Sequence, residues 1–281
     1  MAYKSVLTVA THVDKVTQTL QDASALCRQQ AAHLDVLALG VDTAQIGYAY
    51  IGASPGLMQM ALEQVEETAR TIETVARNSL ATALAKQQWT VTAAVTQLGA
   101  LTDLVANRAR FADLVILPKP YGEGMGPKAE AVIEAALFEG QAPVLVLPDA
   151  GLGPLPIETI VIAWNQSREA MAATRRALPF LKLAKLVNIA VINPSMHGDE
   201  RIRPGEALCQ MLVRHGVRAE VSVLSRSLPR ISEELSQHVA TLNAGMLVMG
   251  AYGHSRFREA VMGGATRSML EQLAVPVLMA H

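Results

Sequence analysis

The chain has 281 residues, of which 51% are apolar, 17% charged and 4% aromatic, and its formal net charge is −1. This length and apolar content allow one large packed domain or two small ones, and they exclude a disordered chain. Interspersed charge and few aromatics argue against a nucleic-acid surface, which needs a basic stripe and stacking rings.

The first strand is predicted at 5–10, followed by a helix at 14–31 and a strand at 34–40. A long helix over 56–86, a strand at 89–97, a helix at 99–110 and a strand at 113–118 come next. A helix at 127–139 and a strand at 143–148 close this half. The segment Asp149–Pro156, DAGLGPLP, has the Gly and Pro of an interdomain linker. The pattern then starts again. Strands are predicted at 158–164, 186–193, 218–224, 245–250 and 275–280, with helices at 168–182, 205–215, 229–242 and 264–273. Val6 matches Ile160 at an offset of 154 and Leu114 matches Met246 at an offset of 132, so the second copy is 22 residues shorter over this stretch. The strands are rich in Val, Ile and Leu without clean alternation, which suits parallel sheets covered on both faces. The expected fold is α/β: two tandem five-stranded parallel units, residues 1–149 and 156–281, each doubly wound with right-handed crossovers.

Ligands of such sheets bind beyond the carboxyl ends of the strands, where the strand order reverses. The loop after the fourth strand of the second half reads GAYGHSRFREAVMGG, with Gly250, Gly253, Gly263 and Gly264 leading into a helix. Glycine lets the main chain approach an anion, and the free N–H groups of a helix start attract phosphate. The spacing is neither GxxxxGK[ST] nor GxGxxG, and no Lys follows the glycines. The plain alternative is a turn at Gly250 and Gly253 with tight packing at Gly263 and Gly264. His254, Ser255 and Arg256 stand where they can reach a phosphate; for Arg256 and Arg258 solvated loop charges are the preferred reading, and for His254 a plain surface position accounts equally.

With its flanking GHSR and GGATRSML, this loop resembles the universal stress protein family, whose nucleotide-binding members carry G-x2-G-x9-G-[S/T] after the fourth strand. Gly250, Gly253 and Gly263 match in type and spacing, whereas Gly264 stands where Ser or Thr is expected. The resemblance implies a tandem universal stress protein binding ATP, ADP or AMP in its second half, as a regulatory or protective module. It also implies that the last strands, Val144–Pro148 and Val277–Ala280, pair within the chain as an internal pseudo-dimer, with further homodimerisation open. Val191 then corresponds to the position whose backbone faces adenine, with a core strand role equally open. Asn165 stands where the family often has an acid; it can bond a ribose or base but carries no charge for a metal. Asn165 or Ser167 also suits the N-cap of the next helix, with Ser167 the favoured cap. Thr266 is expected to point away from the phosphates.

In the first half the same place reads PKPYGEGMGPK, Pro118–Lys128, with Pro118 for the first glycine and no glycine pair at the helix start. Thr11-His12-Val13-Asp14 after the first strand has no clear counterpart role, so this half is expected to be the structural copy. Its extra segment holds Tyr48, Tyr50, Met58 and Met60 and is expected to fold back as core, a Met-rich contact surface being the alternative. The seven histidines form no HxxxH or HExxH, and there is no GxSxG. No metal, catalytic acid or nucleophile is nominated; an enzyme reading extends at most to slow ATP hydrolysis. Cys27 and Cys209 lie far apart and read as reduced, buried thiols. No signal peptide and no apolar run of about 18 residues is read, so a cytosolic protein without a membrane span is expected. A protein working through protein contacts alone, without nucleotide, is the other reading.

Overall fold

The computed structural model describes residues 2–43, 55–85, 88–122, 124–193, 203–225, 227–251 and 264–281. The chain divides into two compact units, Tyr3–Val144 and, in the main, Leu145–His281.

In the first unit, strands β1 (Ser5–Ala10), β2 (His33–Asp42), β3 (Trp89–Gln97) and β4 (Leu114–Pro118) run in the order β3-β2-β1-β4. The pairs β1–β2, β1–β4 and β2–β3 are parallel, with Val6 opposite both Leu34 and Leu114. The Val115 N–H donates to the Pro143 carbonyl at 2.9 Å, just ahead of β5 (Val144–Leu147). Helices α1 (Val13–Gln30), α2 (Pro55–Ala83), α3 (Leu98–Ala109) and α4 (Pro127–Glu134) connect the strands, and α4 ends in a π-helical turn, Ala135–Glu139. Val6, Leu34, Leu114 and Ile116 are fully buried, as the unbroken apolar runs require of a sheet covered on both faces. The Asp113 carboxylate accepts the Lys4 and Ser5 N–H groups at 2.7 and 3.0 Å, which fixes where β1 starts beside β4.

The expectation that Met58 and Met60 fold back as core needs correcting. Ala69, Ile72, Ala76 and Leu80 of α2 are buried at helical spacing, and Met58 and Leu62 extend the same stripe but are 42% and 38% exposed. Met60, off that stripe, is 67% exposed. The helix packs tightly on β2 at Gly40, where an added Cβ would lie 2.5 Å from the Val65 carbonyl oxygen. Gly40 is near the carboxyl end of its strand, so the residues of α2 before Val65 run past the sheet and lose its cover. Tyr48 and Tyr50 lie outside the described residues.

The second unit contains β6 (Thr159–Ala163), β7 (Leu186–Ile192), β8 (Ala219–Leu224), β9 (Met246–Gly250) and β10 (Val277–Ala280), in the order β10-β9-β6-β7-β8. The four adjacent pairs are parallel. Its helices are α5 (Arg168–Arg176), α6 (Leu178–Leu181), α7 (Glu206–Arg214), α8 (Ile231–Thr241) and α9 (Gly264–Glu271). The single helix expected over 168–182 is interrupted at Ala177, ahead of Pro179, which has no N–H to continue the ladder. Asn188 is fully buried in β7 and saturated: its amide donates to Glu220 Oε1 and Ser222 Oγ, and its carbonyl lies 2.8 Å from His238 Nε2 of α8. A buried amide with every polar atom partnered ties β7, β8 and α8 in one register.

Candidate functional site

In the second unit the strand order reverses between β6 and β9, which pair from Ile160↔Met246 to Ala163↔Met249. The loops after these two strands therefore start side by side at the carboxyl edge of the sheet, the crevice where doubly wound folds take ligands. Asn165 and Gly250 sit one on each side of it.

Gly250 ends β9 against the first turn of α5. A Cβ there would lie 2.5 Å from the Ala170 nitrogen and 2.7 Å from the Glu169 carbonyl carbon. No side chain fits against backbone at that range, so packing alone demands glycine here. Gly264 is the first residue of α9; it is exposed, and an added Cβ meets nothing within 4 Å. Gly253, His254 and Gly263 lie outside the described residues, as do Ser255 and Arg256. Thr266 is buried inside α9, so its hydroxyl does not take the place of the one missing at Gly264.

The loop after β6 is built by local hydrogen bonds. Ser167 caps α5, its Oγ accepting the Ala170 N–H at 3.0 Å, as expected from the sequence. Asn165 Oδ1 accepts the Ser167 N–H at 3.1 Å, an Asx turn that leaves its amide NH2 pointing out of the turn's own bonding. Between them Gln166 has φ 61°, a left-handed conformation that costs a side-chain-bearing residue roughly 1 kcal/mol. Trp164, one residue before Asn165, is buried, and its main-chain N–H donates to the Ala190 carbonyl. Val191 lies in β7 opposite Val223 with its side chain buried, which fits its core role and is compatible with a ligand on its main chain.

On the α8 side, Arg230 occupies the N-cap position of α8, where its main-chain N–H donates to Glu233 Oε2 at 3.3 Å, and its guanidinium donates to Ser268 Oγ of α9 at 3.4 Å. Sequence reasoning had not singled it out, because its partner lies 38 residues away. Glu234 in the same turn accepts the Ser227 and Leu228 N–H groups, each at 3.0 Å, and these bonds hold its carboxyl below the usual carboxylate range.

The corresponding place in the first unit has different chemistry. Thr8, Ala10, Thr11, His12, Lys15 and Pro118 line a small hollow beyond β1. Thr11 Oγ1 lies 2.8 Å from His12 Nδ1, and burial, with Lys128 nearby, lowers the His12 pKa. Gly122 and Gly124 adopt positive φ in the loop after β4, and Gly126 precedes Pro127 at the start of α4. Among the described residues no group of three or more His, Cys, Asp and Glu is placed to hold a metal.

Comparison of the backbone with solved structures decides the fold. A universal stress protein from Archaeoglobus fulgidus DSM 4304 superposes with a TM-score of 0.70 at 14% identity, over 98% of this chain and 96% of its own. The chain has the tandem universal stress protein fold. Two Pseudomonas aeruginosa proteins share it at a TM-score of 0.56 and 16% identity, each over 99% of this chain and 92% of its own. One, from strain PAO1, is of unknown function; the other, from UCBPP-PA14, is provisionally assigned as a universal stress protein. The sequence matches no protein-family model and no curated protein. Among the described residues no helix is long and apolar enough to cross a membrane.

Proposed function

We propose that this chain is a universal stress protein whose second unit binds an adenine nucleotide, and that it acts as a regulatory or protective module rather than as a dedicated catalyst. The observation that carries this reading is the position of the glycine series. Its first member ends β9 and its last opens α9, on the strand pair where the sheet order reverses, with the Asn165 turn alongside. A helix start with unpaired N–H groups favours phosphate there. The Asn165 amide supplies a donor and acceptor for ribose or base, and the Val191 main chain lies on the neighbouring strand. The nucleotide is ATP, ADP or AMP, and no step of catalysis is assigned.

Calorimetric titration with ATP, ADP, AMP and GTP tests this. Saturable binding of an adenine nucleotide at micromolar to low millimolar concentration, with weaker GTP binding, is expected. The absence of any response at several millimolar rejects it. A second reading, a module working through protein contacts alone, is favoured by one observation: Leu57, Met58, Met60 and Leu62 expose a run of apolar side chains on α2. That reading gains if titration is silent.

A further inference from the structure

We propose that the first unit carries a self-association surface, made of the open edge of β3 and the flank of α2 above it, on which a second copy of this chain docks about a twofold axis. The inference is independent of nucleotide binding.

β3 stands last in its strand order, with β2 on one side. An edge strand leaves a row of main-chain N–H and C=O groups open to pairing, and such edges are commonly blunted by Lys, Pro, a bulge or shortness. β3 has nine residues, WTVTAAVTQ, with no charge, Pro or Gly among them. Thr90, Val95 and Gln97 are exposed along it. β8, at the end of the second unit's order, has six residues and carries the exposed Glu220.

The strand reads nearly the same in both directions about Ala93. An antiparallel copy centred there sets Thr90 against Thr96, Val91 against Val95 and Thr92 against Ala94. β-branched residues then face each other on both sides of the centre, and such pairs stabilise antiparallel ladders.

α2 carries a second self-match. Glu66, Arg70, Glu73 and Arg77 follow at spacings of four, three and four, so they form one stripe down the helix. Glu66 pairs with Arg70 at 3.2 Å and Glu73 with Arg77 at 2.6 Å. The stripe lies on the β3 side, because Arg77 Nη2 also donates to the Val91 carbonyl at 2.8 Å. Against an antiparallel copy of the helix, Glu66 meets Arg77 and Arg70 meets Glu73, so opposite charges meet along the stripe and like charges do not. On the same stripe the exposed Leu62 meets the exposed Ala81 of the other copy.

The two centres coincide. α2 packs on Gly40 through Val65 and Ala69, and Gly40 pairs with Val95 of β3. Arg77 lies over Val91. Midway between these anchor points the helix is at Ile72 and the strand at Ala93. The charge stripe is centred between Thr71 and Ile72, so one twofold axis serves strand and helix together. The spacing fits as well. Paired strands lie about 4.8 Å apart. A helix packed on both β2 and β3 then lies about 10 Å from its copy, the ordinary distance between packed helices. The uncharged edge supplies main-chain bonds, and the charge stripe sets direction and register.

Sedimentation equilibrium of the full chain from about 1 to 100 μM tests this, and a dimer is expected. Arg70→Glu brings acids together across the axis and Glu73→Arg brings bases together, so each alone should weaken the dimer about tenfold or more. An equimolar mixture of these two variants should restore it, because each supplies the charge that the other lacks. Val95→Lys, at the exposed edge, should weaken the dimer as much. Circular dichroism checks that each variant is folded, and a folding defect would not be rescued by mixing. A parent that stays monomeric at the highest concentration overturns the proposal, as does open-ended assembly beyond the dimer. A dimer indifferent to the single charge reversals overturns it, and so does a mixture that fails to restore what the single variants lose.

Discussion

Gly250 and Ala170 approach so closely that a Cβ on the glycine would lie 2.5 Å from the Ala170 nitrogen. The contact packs the end of β9 onto the first turn of α5, so the glycine at the head of the series is a structural necessity before it is anything else. Gly250→Ala must push α5 off the sheet or tilt the strand end. We expect it to destabilise the second unit by about 1–3 kcal/mol, the usual cost of overpacking a rigid contact. Urea denaturation followed by circular dichroism measures this. A variant as stable as the parent would mean that the α5 turn yields freely. Loss of nucleotide binding in this variant does not report a ligand contact.

Gly264 is the opposite case. Open space surrounds its missing Cβ at the start of α9. Gly264→Ser should therefore fold as the parent does and restore the hydroxyl for which the family pattern has a place. One added hydrogen bond to a charged phosphate is worth roughly 1.5–3 kcal/mol, about a tenfold to hundredfold gain in affinity for ATP. Adenosine should gain nothing. A calorimetric ATP affinity unchanged by this substitution would show that the helix start does not meet the phosphates.

The contrast between these two glycines marks how far the sequence could be read. The strands were legible because each is a short Val-, Ile- and Leu-rich run bounded by turn residues, and the repeat was legible because those runs recur in order. The spacing of the glycines carried the resemblance, and the Ser167 cap followed from a residue type with one strong local preference. Gly250's real constraint was not legible, since it comes from residues some eighty positions earlier in the chain. Nor was the overrun of α2: its apolar stripe continues without a break past the point where the sheet ends, and periodicity carries no information about where a strand stops beneath a helix. Arg230 was hidden for the same reason as Gly250.

The turn after β6 can be tested by three substitutions with different signs. Ser167→Ala removes the cap bond to the Ala170 N–H and should cost about 0.5–2 kcal/mol. Asn165→Ala removes the Asx bond and should cost less, because the Ser167 N–H it serves is exposed. Gln166→Gly relieves a left-handed conformation at φ 61° and should be neutral or slightly stabilising, against the general penalty for introducing glycine. Thermal denaturation of the three side by side gives the order. A Gly variant less stable than Asn165→Ala would contradict the strain assigned to Gln166.

Stability of the second unit should fall with acid in two stages. Burial of His238, on α8, lowers its pKa below the ordinary 6.5, with Glu220 and Glu234 opposing that shift. The folded form then binds protons less readily than the unfolded chain. Its contribution is fully present above pH 6.5 and is lost as pH falls towards the folded value. Glu234 is lowered by the Ser227 N–H first, so its contribution is present above about 4.5 and is lost at more acidic pH. Urea midpoints measured from pH 7.5 down to about pH 2.5 should decline through both windows. His238→Gln, which keeps a donor for the Asn188 carbonyl, should flatten the upper window and leave the lower one. His12 in the first unit shifts in the same direction. His12→Gln therefore serves as the control, and an upper slope that disappears with it alone would assign the effect to the wrong unit.

The two thiols should differ sharply in reactivity. Cys27 is fully buried in α1, and desolvation pushes its thiol up to about 12, so almost no thiolate exists at neutral pH and reagent cannot reach it. Cys209 in α7 is half-buried, its Sγ donates weakly to the Ala219 carbonyl at 3.4 Å, and burial with Glu206 nearby raises its pKa. Labelling at pH 8 with a thiol-exchange reagent should modify Cys209 slowly and leave Cys27 intact until the first unit unfolds. Cys27 labelling thereby reports opening of the first unit independently of the second. Adding ATP should slow no step of it, since the proposed nucleotide site is built from the other unit. Protection of Cys27 by ATP would show that the first unit takes part in binding, and the assignment of the nucleotide to the second unit alone would then fail.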